Sequence, residues 1–281
     1  MRCRRPPYRL AYNTNGFAHH RLDDALGVLK RLGYRGVALT VDAAHLDPRV
    51  TSRRELGRVR RRLEALDLAA AVEAGARFLL DPWRKHQPTL LSRRGWRRRH
   101  EFVVACMETA RRVGARVVSL WSGRPDPPLG VRVGMVRLAE RCRRLAEEAA
   151  GRELELGFEP EPGMFVDRLG RYRELRDRVD HPAFGLTLDL GHVHCQGEGP
   201  LEDRIAEFAA DLRHVHAEDM VRGVHEHLPF GRGEMDYGPI VRKLGEIDYR
   251  GLVAVELSRD SHRAVEAARE AIAFFRRLGG A

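Results

Sequence analysis

Short apolar runs alternate with longer amphipathic ones along the whole chain. The runs Leu10–Asn13, Gly36–Val41, Leu68–Glu73, Arg116–Trp121, Leu154–Glu159, Phe184–Asp189, Leu212–His216 and Leu252–Leu257 are brief and rich in Val, Leu and Ala. Continuous apolar segments of this length read as parallel strands covered on both faces. Between them, helical patterns run over Leu22–Leu32, Arg53–Leu66, Glu101–Val113, Val131–Ala150 and Pro239–Ile247, and Ser261–Leu278 closes the chain. Gly33, Gly114, Gly151 and Gly251 follow helices or precede strands, where a glycine cap is expected. Eight such units give roughly 35 residues each, the size of a βα repeat. A doubly wound sheet ordinarily has a Gly-rich phosphate loop after its first strand. Here the first strand runs into Asn13-Thr14-Asn15-Gly16 instead. The pattern predicts an α/β protein, a single-domain (β/α)8 barrel over 1–281, with a long loop after strand three at about 74–98.

Active sites of such barrels lie at the C-terminal ends of the strands. There the sequence places Glu73, Trp121, Glu159 with Glu161 just beyond, Asp189 with His192 just beyond, His216 and Glu256. A carboxylate at the end of an apolar run is costly to bury unpaired. Three of them with an imidazole on a fourth strand suggest a cation between them. Glu159, Asp189, His216 and Glu256 come from four consecutive strands and can converge on one point. Three carboxylates and one imidazole suit Mn²⁺, Mg²⁺ or Co²⁺, with Zn²⁺ also admissible. Taken singly, a strand-end Glu can equally cap a loop or pair with an Arg. His192 could orient a substrate oxygen or bind a second ion. Arg222, six residues after His216, could hold an anionic or hydroxyl-rich substrate in its planar fork. His225 and His227, ahead of a Gly231-x-Gly233 turn, can both face the site and could contact substrate or another metal.

Charge alters the picture less than its size suggests. Fifty Lys and Arg against forty Asp and Glu leave a net +10, which invites a nucleic-acid reading. Only Lys30, Lys85 and Lys243 are lysines, however, so the excess of arginine reads as a coding bias as much as a binding adaptation. The clusters Arg53–Arg62 and Arg93–Arg99 are solvated helix faces or an anion footprint; the first is expected on an outer helix. Cys3, Cys106, Cys142 and Cys195 are far apart, which suits a reducing compartment and argues against structural zinc. No apolar run approaches the roughly 20 residues of a membrane span. The stretch Tyr8–Tyr12 behind the basic Met1–Pro7 is too short for a signal-peptide core, so the cytoplasm is the expected location.

The ordered set of Glu159, Asp189-x-x-His192, His216, His225-x-His227, Gly231-x-Gly233 and Glu256 resembles the xylose-isomerase-like barrel superfamily. That group contains sugar and sugar-phosphate isomerases and epimerases together with endonuclease IV-type enzymes (AP endonuclease family 2). The motifs cover about 154–258; the first half matches by pattern alone. The resemblance implies one divalent metal on Glu159, Asp189, His216 and Glu256, and substrate contacts from His192 and Arg222 as in the ketose 3-epimerase branch. It further implies that Glu159 and Glu256 are the catalytic acid/base pair, one removing a proton beside a polarised carbonyl to leave an enediolate. The expected function is a metal-dependent isomerase or epimerase of a sugar, sugar phosphate or related polyol derivative. The expected partner is a small molecule, with no membrane and no nucleic acid; a homo-oligomer is compatible with the sequence, which does not disclose the oligomeric state.

The alternative is an endonuclease IV-like multinuclear phosphodiesterase acting on DNA; dehydration of a polyol-derived acid is a third chemistry. Strand four ends in Trp121-Ser122-Gly123, with no His where the endonuclease branch has one. Trp121 could be an apolar platform for a sugar face or a core residue. Glu73 and Glu161 complete the expected substrate-contacting set. Glu161 would replace the acidic group that the epimerase branch often has six residues after Glu159, where this chain has Phe165. The loop after strand three has no clear counterpart in the commoner epimerases. Its Arg77, Lys85 and His86 could bind a phosphate or carboxylate, or belong to a solvated lid.

Overall fold

The computed structural model describes residues 6–280, so Cys3 and the basic start Met1–Arg5 lie outside the described residues. The barrel strands are β1 (Arg9–Asn13), β2 (Gly36–Thr40), β3 (Ala69–Glu73), β4 (Val117–Trp121), β5 (Glu155–Glu159), β6 (Phe184–Asp189), β7 (Leu212–Ala217) and β10 (Leu252–Val255). They are parallel and close in the order β1-β10-β7-β6-β5-β4-β3-β2, the (β/α)8 barrel expected from the pattern. The helices are α1 (Leu22–Leu32), α2 (Arg53–Ala65), α3 (Trp96–Val113), α4 (Val131–Ala150), α5 (Leu169–Val179), α6 (Leu190–Cys195), α7 (Leu201–Glu207), α8 (Tyr237–Glu246) and α9 (Ala264–Arg277). Two further strands, β8 (Asp219–Val221) and β9 (Val224–Leu228), form an antiparallel hairpin where the sequence pattern suggested only a loop. Among the described residues no helix is long and apolar enough to cross a membrane.

Alternation along the strands sorts the barrel interior into layers. Near the N-terminal end Ala11, Ala38, Ala71, Leu252 and Ala254 pack together as a small apolar plug. Two residues further along, the same strand faces carry Asn13, Thr40, Glu73 and Glu256, so the interior turns polar toward the C-terminal mouth. The other strand faces pack against the helices, with Tyr12, Phe158, Tyr172 and Phe275 fully buried.

Two expectations need correction. Gly33 (φ 107°) and Gly114 (φ 82°) are left-handed caps, but Gly151 is right-handed (φ −63°), and the left-handed turn after α4 falls on Glu153 (φ 58°). The cluster Arg93–Arg99 is not a uniform surface face. It leads into the first turn of α3, and Arg99 is buried, its guanidinium donating to the carbonyls of Pro88 (2.8 Å) and His86 (2.9 Å). Arg99 also stacks over Trp121 and Phe102, 5.2 and 5.4 Å from their ring centres. The Arg53–Arg62 run does lie on α2, where Arg60 pairs with Glu64 and Arg62 with Asp23.

Candidate metal centre

Glu159 and Asp189 end β5 and β6, His216 lies in β7, and Glu256 is one residue past β10. One donor atom from each of these four lies within 4.8 Å of the others. Nδ1 of His216 is 3.1 Å from Glu159 Oε1, 3.1 Å from Glu256 Oε2 and 3.7 Å from Asp189 Oδ2. Burial pushes the Glu159 carboxyl well above its ordinary range, and the nearby Asp189 and Glu256 add to this. Burial works against a charged His216, yet Glu73, Glu159 and Glu256 together drive its pKa well above the usual imidazole value. Among the described residues Asp189 Oδ2 is buried and accepts from no N–H or alcohol O–H group. A divalent cation among the four groups would relieve the crowding of carboxylates and engage that oxygen, and the hard donor set fits Mn²⁺, Mg²⁺, Co²⁺ or Zn²⁺.

Behind this cluster is a layer of orienting groups. Glu73 Oε1 lies 3.1 Å from His216 Nε2 and 3.0 Å from His214 Nε2. Burial opposes ionisation of Glu73, but the two imidazoles hold its carboxyl well below the usual carboxylate range. Glu73, expected to touch substrate, lines the cavity above the cluster and also engages the Nε2 side of His216, because the β3 face carrying it is turned into the barrel. This contact directs Nε2–H away from the cluster and leaves Nδ1 as donor to an ion. Asp189 Oδ1 accepts from the His192 backbone N–H (2.7 Å), capping α6.

Sequence reasoning missed two residues here. Asn15, in the tight turn after β1, donates from Nδ2 to Glu256 Oε1 at 2.7 Å. Glu218 is fully buried, its carboxyl lies within hydrogen-bonding reach of Asp189, and it shares a donor group with Asp189 and His227. Burial, reinforced by Asp189, pushes its carboxyl well above the ordinary range. A usable signal existed for Glu218, which follows His216 by two and so falls on the same strand face.

Above the cluster opens a cavity of about 260 Å³, lined by the expected Trp121, Glu161, His192, His225 and His227. The Glu161 carboxyl is pushed up to about 8, by burial first and then by the charges of Glu256 and Asp189. Burial lowers His192 to about 3 and lowers His225 as well, so both are neutral imidazoles at neutral pH. Their Nε2 atoms are 3.0 Å apart, and with His227 they form a second group of close ring nitrogens. His225 and His227 sit on β9, and Asp219 secures that hairpin by accepting from the backbone of Met220, Gly231 and Met235 at 2.8–3.1 Å. Trp121 meets His86 edge-on at 4.8 Å.

Arg222 does not reach this cavity. It is exposed at the turn between β8 and β9, beside Gly223 (φ 77°), with its guanidinium over Gly197. The short strand β8 carries the chain outward before it turns, so six residues after His216 end at the hairpin tip. Phe165 is also absent from the cavity lining and packs on α4 at Gly134.

A family model described as the xylose isomerase-like TIM barrel matches residues 26–278. Among curated proteins, an uncharacterised protein of Methanocaldococcus jannaschii is 31% identical over 101 residues, 34% of each chain. Inosose dehydratase of Clostridium botulinum is 26% identical over 140 residues, 44% of this chain and 47% of that one. The matched region thus spans about a third to a half of these relatives' length. Solved structures align over nearly the whole chain. A xylose isomerase domain protein from Planctomyces limnophilus has a TM-score of 0.78 at 17% identity, covering 98% of each chain. An L-ribulose 3-epimerase scores 0.77 at 17% identity, covering 96% of this chain and 94% of that one. The IOLI protein with a bound zinc atom scores 0.77 at 17% identity, covering 96% and 98%. At such identities the likeness is one of fold.

Proposed function

The chain belongs to the xylose isomerase-like TIM barrel family, and on that footing we propose that it is a divalent-metal-dependent isomerase or epimerase of a sugar, sugar phosphate or related polyol derivative. The observation that carries this reading is the pair Glu159 and Glu256, each 3.1 Å from the same nitrogen of His216 at the floor of a small polar cavity. Glu159, Asp189, His216 and Glu256 would hold the ion, which would supply Lewis acidity to polarise a substrate carbonyl and acidify the neighbouring C–H. One of the two glutamates then takes that proton, and the other returns one to the adjacent carbon or to the opposite face. Asn15 holds Glu256 in place through its 2.7 Å hydrogen bond. The neutral His192 and His225, together with His227, can each donate to or accept from a sugar hydroxyl.

A second reading, dehydration, is favoured by Glu161. A carboxyl that burial holds above its ordinary range inside the cavity can protonate a departing hydroxyl, and inosose dehydratases are among the curated relatives. Both readings share the first proton abstraction. Reconstituted protein incubated with a sugar panel in deuterium oxide separates them. Deuterium in a recovered sugar isomer supports isomerisation or epimerisation, and loss of water to an unsaturated product supports dehydration. One metal ion per chain is expected, with His227→Ala raising KM or lowering kcat while metal content holds. No exchange into any sugar, combined with cleavage of an abasic-site duplex, would sink both.

A further inference from the structure

We propose that the cavity contains an oxyanion subsite formed by Arg77 and Lys85, and that the substrate carries a phosphoryl or carboxylate group seated there. The inference rests on the catalytic reading of this cavity and adds the substrate's charge. Both residues line the cavity, and among the described residues neither side chain makes a hydrogen bond or an ion pair within 4 Å, although the Lys85 charge acts on the Glu161 carboxyl across the cavity. Arg77 is half-buried, so an anion held by its planar fork would be less screened than at the open surface.

The loop is built to present these two cations together. Left-handed backbone conformations in non-glycine residues stand at Ala76 (φ 49°), just before Arg77, and at His86 (φ 65°), just after Lys85. Such conformations are unfavourable and persist only where the surroundings impose them. The His86 backbone N–H donates to the Arg77 carbonyl at 2.6 Å, closing the base of the loop so that Lys85 returns beside Arg77. The buried guanidinium of Arg99 holds the next carbonyls, of His86 and Pro88. A neutral sugar would use neither of the two cations, which the cavity's own carboxyl groups do not pair at contact distance. A phosphoryl or carboxylate group uses both, with the planar fork of Arg77 taking two oxygens and Lys85 supplying a point charge. Arg77 also lines an adjoining cavity of about 610 Å³ whose wall includes Arg98, so there is room for a bulky anion at this end.

Calorimetric titration of the full chain with inorganic phosphate, and separately with acetate, tests the subsite without turnover, so its failure is distinct from failure of the catalytic reading. Titrations are run after EDTA treatment, which keeps the anion off a bound metal, and repeated with the metal restored. Saturable binding is expected, weakened about tenfold or more in Arg77→Gln/Lys85→Gln. Arg53→Gln/Arg54→Gln removes the same two charges from α2 and should leave the binding within about twofold. The anion that binds more tightly names the group, phosphoryl or carboxylate. Lys85→Gln alone, at an exposed position, should already weaken binding about threefold and guards against a misfolded double variant. No saturable binding of either anion, or equal binding by wild type and Arg77→Gln/Lys85→Gln, overturns the proposal.

Discussion

A histidine that offers one ring nitrogen to a metal needs an acceptor for the other, and for His216 that acceptor is Glu73 at 3.1 Å. Glu73→Gln keeps the size of the side chain but removes the charge that fixes the tautomer. Metal affinity should fall about 10- to 100-fold, read by competition with a chelator. Unchanged affinity would place the work of Glu73 elsewhere. Gly191 offers a second test at this scale. A Cβ there would stand 1.9 Å from Glu218 Oε1 and 2.9 Å from Met220, so the bare backbone is what lets the Glu218 carboxyl lie against α6. In an ordinary helix Gly→Ala gains roughly 0.5–1 kcal/mol. Gly191→Ala should instead lose about 1–3 kcal/mol in urea unfolding, because buried atoms must move. A gain in stability would mean that Glu218 has somewhere else to go.

At the scale of elements, the long segment between β3 and α3 depends on Arg99. Arg99→Ala would leave two carbonyls without donors and uncover one face of Trp121. A loss of about 2–4 kcal/mol is expected, with faster tryptic cleavage at Arg77, Lys85 or Arg93. Lys cannot bond both carbonyls while stacking on the ring, so full rescue by Arg99→Lys would contradict this account. The same segment marks the limit of what the sequence discloses. The eight barrel strands match their apolar runs within two residues, because burial on both faces writes them as unbroken hydrophobic stretches. Helix α5 escapes notice because arginines and acidic residues crowd its few apolar positions, Leu169, Tyr172, Leu175 and Val179. The hairpin β8–β9 is too short to show a period, which is why Arg222 is misplaced by counting residues alone. Glu159, Asp189, His216 and Glu256 could be picked out because each lies within a residue of the C-terminal end of a strand. The contacts of Asn15 with Glu256 and of Glu73 with His216 join positions 241 and 143 residues apart, and only closure of the barrel brings them together.

Across the whole molecule the arginine-rich helices lie outside the barrel, mixed with acidic partners, while a cluster of buried carboxyl groups gathers at its mouth. Many of the outer arginines are already engaged, as Arg60, Arg62 and Arg144 are with Glu64, Asp23 and Glu140. DNA affinity should accordingly be weak and indifferent to sequence, and should fall steeply as salt rises in a filter-binding or anisotropy assay. Salt-resistant, sequence-selective binding would revive the nuclease alternative.

The buried acids make the metal-free protein sensitive to pH in both directions. Glu159, Glu161 and Glu218 have folded pKa values above those of the unfolded chain, about 8 for Glu161. Their contribution to stability is full below the unfolded value, near 4.3, and is lost as pH rises through the folded values. Glu73 and Asp189 are shifted the other way, so their contribution is present above about pH 4 and is lost on acidification. The melting temperature without metal should therefore peak between about pH 5 and 7 and decline toward pH 9. Glu161→Gln should flatten the alkaline side of that curve. Mn²⁺ should restore the alkaline loss, since a cation favours the ionised carboxylates, and at 100 times its Kd it adds about 2.7 kcal/mol. A melting temperature that climbs steadily from pH 5 to 9 without metal, or Mn²⁺ that stabilises no more at pH 8.5 than at pH 5.5, would show that the carboxyl cluster is not a cation site.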